Sequence, residues 1–258
     1  MKLTIITINY NNLDGLKKTV ESITNQTFQE FEYVVIDGGS TDGSKTYLEA
    51  NAQKFNYWVS EKDKGVYHAM NKGIVKSNGD YLLFLNSGDH FYSDGVLKEN
   101  ISNLTGEGII YFNLQVIERE KQFIKTYPET LSFSYFLNDT LPHPATFIKK
   151  EVFTKTNSFK EDFKVVSDWK FFIDAICKNN ISYKYVHNVL STFYIGGISS
   201  NAAYREIKFK ERNTVLNVNY SAFMQDLDDV VAFRNILNNL RQSRIINLLI
   251  KLGFLNKF

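Results

Sequence analysis

Gly79-Asp80-Tyr81-Leu82-Leu83-Phe84-Leu85-Asn86-Ser87-Gly88-Asp89 is the stretch whose reading decides the fold of this chain. Tyr81 to Leu85 is an unbroken apolar run bounded by Gly79 and Gly88, the pattern of a strand buried on both faces inside a mostly parallel sheet. At its carboxyl end, where open α/β sheets bind their ligands, stand an amide, a hydroxyl, a glycine and a carboxylate. Gly88 permits a sharp turn and leaves room for a phosphate, and Asp89 offers a hard oxygen to a divalent cation. An ordinary polar turn closing a strand would use the same residues.

Upstream, Leu3 to Ile8 is a β-branched run that predicts a first strand, ending in Asn9-Tyr10-Asn11-Asn12 ahead of a helical pattern through Leu13, Leu16, Val20 and Ile23. Thr7 and Asn9 fall at that strand's carboxyl end, with groups suited to a nucleobase or ribose; turn and cap chemistry is their other reading. Phe31 to Ile36 predicts a second strand running into Asp37-Gly38-Gly39-Ser40-Thr41-Asp42. Asp37 is placed to reach the sugar or base of a nucleotide, while Thr41, Asp42 and Ser44 read as caps of the following helix. Tyr57 to Ser60 predicts a third strand, and Val66 to Val75 a helix. Asp63 either caps that helix or meets the nucleotide, and Lys64 is either placed for a diphosphate or an ordinary surface lysine. Three strand–helix units without a hairpin signal predict a right-handed, parallel, doubly wound arrangement, so residues 1–100 are read as a nucleotide-binding half. The absence of G-x-G-x-x-G and of G-x-x-x-x-G-K-[ST] disfavours a dinucleotide dehydrogenase and a P-loop enzyme.

Beyond a helical segment near Val96 to Leu104 the pattern changes. Residues 108–117 and 122–126 predict β-structure joined by a charged turn, and residues 131–137 a helix. His143 sits between two prolines in a stiff segment, placed for a metal, a diphosphate or an acceptor, or merely structural. Asp168 precedes a helical pattern through Phe171, Phe172, Ala175 and Ile176, where either it or Ser167 would make a conventional cap. Residues 181–186 and 190–195 read as two strands, followed by a glycine- and serine-bearing loop through Asn201. From Tyr204 the chain reads as helical to its end. This divides it into residues 1–100, residues 101–203 as an acceptor-binding and catalytic half of the same domain, and a helical extension over 204–258.

The chain has 258 residues, 43% of them hydrophobic, and a formal net charge of +2. That suits one large α/β domain with an appendage and gives no broad electrostatic footprint for nucleic acid. Cys177 is the single cysteine, so no intrachain disulfide and no cysteine-based zinc site is expected. Asn9, Asn11 and Asn12 interrupt the first apolar run, and no segment reaches the ~20 apolar residues that span a bilayer, so a cytoplasmic protein is expected. Residues 241–258 are apolar and basic without an acidic residue, suited either to the inner face of a membrane or to packing against the domain or another subunit.

Taken together, Thr7-Ile8-Asn9-Tyr10-Asn11, Asp37-Gly38-Gly39-Ser40-Thr41-Asp42-Gly43, the run from Asp63 to Gly73, Asn86-Ser87-Gly88-Asp89 and Ser167-Asp168-Trp169 resemble the family-2 glycosyltransferases. This is the large inverting family with the GT-A fold, a Rossmann-like, mostly parallel α/β sheet flanked by helices. The resemblance implies that Thr7, Asn9 and Asp37 hold the nucleoside, with Asp63 and Lys64 nearby. It places Asn86, Ser87, Gly88 and Asp89 on the family's D-x-D turn, with Asp89 the Mn²⁺ or Mg²⁺ ligand, and it makes Asp168 the catalytic base. Two departures stand out. Asn86 and Gly88 replace aspartates, so the cation would lean on the diphosphate, water and His143; Ser167 replaces an acidic neighbour of the base.

The activity so implied is metal-dependent, inverting transfer from a UDP-sugar to a hydroxyl of a glycan or lipid-linked acceptor, in surface polysaccharide synthesis. Two other readings remain: a sugar-nucleotide nucleotidyltransferase, for which the loop after the first strand lacks a Gly-rich basic character, and a non-catalytic nucleotide- or glycan-binding scaffold, favoured by the single carboxylate of the turn.

Overall fold

A computed structural model describes residues 2–119, 121–196, 202–252 and 254–255. The amino-terminal half runs β1 (Leu3–Asn9), α1 (Leu13–Thr24), β2 (Glu32–Asp37), α2 (Ser44–Ala50), β3 (Tyr57–Ser60), α3 (Val66–Lys76) and β4 (Tyr81–Phe84). β1 pairs in parallel with β2 on one side and β4 on the other, and β2 pairs in parallel with β3. Every residue of β1, β2 and β4 is buried, which is why these strands read as apolar runs and not as alternating ones. The doubly wound half predicted from the sequence is present.

β5 (His90–Phe91) and α4 (Val96–Asn100) lead to β6 (Ile109–Glu118), β7 (Lys121–Lys125), α5 (Phe133–Asn138), β8 (Thr146–Lys149), α6 (Lys150–Thr156), α7 (Ser167–Ile173) and β9 (Tyr183–Tyr194). The sheet order is β3-β2-β1-β4-β8-β6-β9-β5, with β7 paired to β6 as a hairpin. β8 lies antiparallel between β4 and β6, and β9 runs parallel to β6. The two runs expected over 181–186 and 190–195 are one strand. The pairing with β6 shifts from Phe112 opposite Val186 to Leu114 opposite Ser191, so a bulge absorbs the polar His187-Asn188 break that mimics a turn. The loop expected from Gly196 lies, from Gly197 to Asn201, outside the described residues.

The carboxyl-terminal helices are α8 (Arg205–Asn219), α9 (Ser221–Gln242) and α10 (Arg244–Lys251). Two compact units, Met1–Glu211 and Arg212–Phe258, divide inside α8. Among the described residues, no helix is long and apolar enough to cross a membrane.

The start of the sheet is tied by Glu32, which is 6% exposed. Its carboxylate accepts the Thr4 hydroxyl at 2.5 Å and the backbone and side-chain N–H groups of Asn78, each at 2.6 Å. Gly79 follows, and its N–H donates to the same Thr4 hydroxyl; a Cβ there would stand 2.6 Å from the Thr4 backbone nitrogen. Burial alone raises the Glu32 carboxyl, but the bonds from Thr4 and Asn78 and the charge of Lys150 outweigh it and hold it below its ordinary value of 4.5. A depressed folded pKa stabilises the fold above the unfolded value, and that stabilisation disappears as pH falls through the folded one. Urea unfolding between pH 6 and pH 3 should therefore show a loss of stability below about pH 4.5 that is smaller in Glu32→Gln, which is itself less stable at pH 6.

Candidate active site

The turn after β4 is built by its neighbours. The Leu85 N–H donates to the Ile6 carbonyl and the Ser87 N–H to the Ile8 carbonyl, so β1 sets its height. Gly88 has φ +106°, the left-handed conformation that glycine adopts at least cost. Thr19, on the buried face of α1, closes the turn: its hydroxyl accepts the Gly88 N–H at 3.0 Å and donates to the Asp89 carbonyl at 2.6 Å. Asn12 adds a bond to the Ser87 carbonyl at 3.0 Å.

Above this turn lies a cavity of about 400 Å³. Asn86, Ser87, Gly88, Asp89, His143 and Asp168 all line it, so six of the residues singled out from sequence meet in one place. They come from the end of β4, from the short turn ahead of β8 and from the first turn of α7. Tyr67 at the start of α3 and Phe193-Tyr194-Ile195 at the end of β9 complete the wall, and the sequence reading missed them.

Two carboxylates face this cavity in opposite surroundings. Asp89 is 6% exposed, and among the described residues no hydrogen bond reaches its side chain. Burial pushes its carboxyl up to about 7, only partly offset by the charge of His143. Asp168 is supplied with donors. The Tyr67 hydroxyl donates to Oδ1 at 3.0 Å, and His143 Nδ1 stands 3.5 Å from Oδ2. Burial raises the Asp168 carboxyl, yet His143, the Trp169 N–H and Tyr67 outweigh it and hold it below the ordinary value. The far side of the His143 ring, Nε2, lies 3.2 Å from Asn86 Nδ2. The segment entering α7 is held by Glu211, whose carboxylate accepts the N–H groups of Lys164, Val165 and Val166 at 2.7, 3.0 and 3.2 Å.

Among the described residues, no three His, Cys, Asp or Glu side chains converge as a self-sufficient metal cage. A lone buried carboxylate at a phosphate-sized turn fits a cation that takes its other ligands from substrate phosphates and water, as Mg²⁺ sites commonly do.

The remaining candidates lie outside the cavity wall, around the carboxyl ends of β1 and β2. Thr7 is fully buried, with its hydroxyl engaged by the Leu85 carbonyl and Tyr33. Asp37 is fully buried and receives Asn9 Nδ2 and the Ser40 hydroxyl on Oδ1, and the Ser40 N–H and Ser60 hydroxyl on Oδ2. A carboxylate has about four lone-pair sites, so these donors fill it. Asn9 Oδ1 is buried without a partner among the described residues. Asp63 binds Lys72 at 2.5 Å and His68 at 3.0 Å through Oδ1, whereas its buried Oδ2 has no partner among the described residues. That oxygen lies beside Gly38, where a Cβ would be 3.4 Å from it and 3.1 Å from the ring of Tyr10, which is 67% exposed. Lys64 is exposed at the turn into α3. Tyr10 was also missed; the available signal was an aromatic directly after a buried strand.

The family model for glycosyl transferase family 2 matches residues 4–166, stopping just short of Asp168. A glycosyltransferase of Mycobacterium tuberculosis described as uncharacterised is 34% identical over 178 residues, covering 67% of this chain and 68% of that protein. Among solved structures, Staphylococcus aureus TarS 1–349 in complex with UDP-GlcNAc superposes with a TM-score of 0.65 at 19% identity, over 85% of this chain and 68% of that one. The mannosyltransferase PcManGT of Pyrobaculum calidifontis, in complex with GDP-Man and Mn²⁺, gives 0.58 at 17% identity, over 76% and 57%.

Replacing Asp37 by alanine strips the acceptor from four inward-facing donors of three chain segments. A loss on the order of 3 kcal/mol is expected in urea unfolding, against a much smaller loss for the exposed Asp94→Ala.

Proposed function

The chain belongs to glycosyl transferase family 2, and from that premise we propose that it moves a sugar from a nucleoside diphosphate sugar to an acceptor hydroxyl with inversion at the anomeric carbon. It is a glycosyltransferase of the GT-A fold. The observation that carries the proposal is the pair of carboxylates in one cavity, Asp168 supplied with donors and Asp89, among the described residues, left without one.

Asp168 acts as the general base. It takes the proton of the acceptor hydroxyl while that oxygen attacks the anomeric carbon from the face opposite the diphosphate; the bond to the diphosphate oxygen breaks as the new glycosidic bond forms. Its lowered pKa keeps it ionised and able to accept that proton. Asp89, with Asn86, Ser87 and Gly88 around it, would hold a Mn²⁺ or Mg²⁺ ion, and the ion supplies Lewis-acid stabilisation of the negative charge on the diphosphate. At the β1–β2 end the exposed Tyr10 ring offers a face to a nucleobase, and the unpartnered Asp63 oxygen beside Gly38 is an acceptor for a base N–H. Thr7, Asn9 and Asp37 brace that corner from below, and Lys64 serves the diphosphate from the turn into α3. UDP is the nucleotide favoured, by analogy with TarS, and the acceptor is a glycan or a lipid-linked sugar of surface polysaccharide synthesis.

The carboxyl-terminal unit bears on the lipid-linked option. On α9, Phe223, Val230, Phe233, Leu237 and Leu240 follow one another at steps of seven, three, four and three residues and are 39–67% exposed. After Asp229 the sequence has five basic residues and no acidic one. From Val230 onward the stripe lies where every charged residue is basic, while Asp226, Asp228 and Asp229 precede it on the same helix, and that cationic part matches an anionic lipid surface.

Two expected outcomes test this reading. UDP near a hundred times its Kd should stabilise the protein by about 2.7 kcal/mol, a rise in Tm on the order of 5 to 10 °C. That rise should need Mn²⁺ and vanish in Asp89→Ala, whereas Asp168→Asn should keep it and lose all sugar transfer; near-normal turnover in Asp168→Asn would remove it as the base. Separately, phosphatidylglycerol vesicles should sediment the full chain at low salt and phosphatidylcholine vesicles should not, with Phe233→Glu/Leu237→Glu remaining in solution. A dimer in light scattering that this double variant breaks would assign the stripe to a second copy instead.

A further inference from the structure

The geometry points to Tyr67 and His143 as positioning residues that aim the carboxylate of Asp168 at the acceptor hydroxyl, with Asn86 orienting the His143 ring. This rests on the reading of Asp168 as the base. The terminal torsion of an aspartate is broad and weakly defined by itself, so a catalytic carboxylate needs partners to fix its plane. The Tyr67 hydroxyl stands 3.0 Å from Oδ1 and His143 Nδ1 3.5 Å from Oδ2, and the Trp169 N–H is a third donor to the carboxylate. With about four lone-pair sites and three donors, the carboxylate keeps capacity for the incoming hydroxyl. The His143 contact is long for a hydrogen bond, and catalytic contacts of this kind shorten once substrate is bound.

Asn86 makes the His143 arrangement directional. If its Nδ2 donates to Nε2, the ring proton is on Nδ1, facing Asp168. With the amide in that orientation an N–H faces Oδ2. Tyr67 is equally well placed to donate. It is 6% exposed, its ring packs on Phe159 at 5.9 Å, and burial followed by the charge of Asp168 raises its hydroxyl well above the ordinary value, so it stays protonated. The chain Asn86–His143–Asp168–Tyr67 thus links the phosphate-binding end of β4 to the base through side chains of four separate segments.

The test uses the full chain with Mn²⁺ and a panel of UDP-glucose, UDP-galactose and UDP-N-acetylglucosamine, following UDP release to water as the acceptor. Tyr67→Phe removes one oxygen and keeps the ring. It should lower kcat by about tenfold to a hundredfold, part of what general-base catalysis contributes, with the donor KM and the UDP-induced thermal shift unchanged. For His143 the two amide substitutions separate the ring nitrogens, because the asparagine amide falls near the Nδ1 position and the glutamine amide near Nε2. His143→Asn should therefore retain more turnover than His143→Gln. Wild-type kcat in Tyr67→Phe, or a parallel loss of donor affinity, would overturn the positioning role of Tyr67. Better retention in His143→Gln would move the function of His143 to Nε2, the nitrogen turned towards Asn86, and overturn its role here. If Asp168→Asn is inactive while Tyr67→Phe is normal, only this inference fails; if Asp168→Asn is active, or the wild type releases no UDP from any donor, the base assignment fails and this inference with it.

Discussion

The position of one hydroxyl governs the site. Thr19 accepts from the Gly88 N–H and donates to the Asp89 carbonyl, fastening the turn after β4 to the buried face of α1. Because β4 is already aligned with β1, with Ile6 beside Phe84, the turn is constrained from the strand behind it and the helix over it. Asp89 owes its isolation to this: its backbone is held on both sides, while its side chain is carried into a cavity where, among the described residues, no donor meets it. A buried carboxylate in that condition is costly unless something else completes it.

Two carboxylates in one cavity are thus driven in opposite directions by ordinary means. Burial acts on both; what differs is the supply of donors, absent at Asp89 among the described residues and coming from three groups at Asp168. Such divergence between neighbouring acids separates the one able to accept a proton from the one able to wait neutral or to take a cation. Asp37 shows a third outcome, a carboxylate so fully supplied by protein donors that it acts as a structural knot.

Much of this was legible in the sequence, and the limits follow from what sequence patterns encode. β1, β2 and β4 were visible because strands buried on both faces leave continuous apolar runs, and the turn after β4 because glycine and carboxylate follow such a run directly. Asp168 was identified through its neighbours and the resemblance, and it does line the cavity. Tyr67 was not, because within a helix its ring has the same pattern as any core aromatic, and its partner lies 101 positions away. The condition of Asp37 was hidden for a similar reason: its donors come from Asn9, Ser40 and Ser60, and only folding shows that they converge. At β9 the pattern misled, since a bulge and a turn both interrupt a strand with polar residues.

The β6–β7 hairpin has a consequence for self-association. Among the described residues β7 bonds only to β6, and Phe123 and Ile124 are 48% and 42% exposed on it, so it is an open strand edge with apolar side chains. Such edges template filaments. Here, however, the strand begins and ends with lysine. If two copies met antiparallel, centred on Phe123, Lys121 of each would face Lys125 of the other, placing like charges opposite one another at both ends of the new ladder. Lys125 is itself paired with Asp139 at 2.7 Å, so the repulsion at each end comes from a Lys121 charge meeting a partly neutralised lysine, a modest electrostatic check on fibril growth that high salt would weaken.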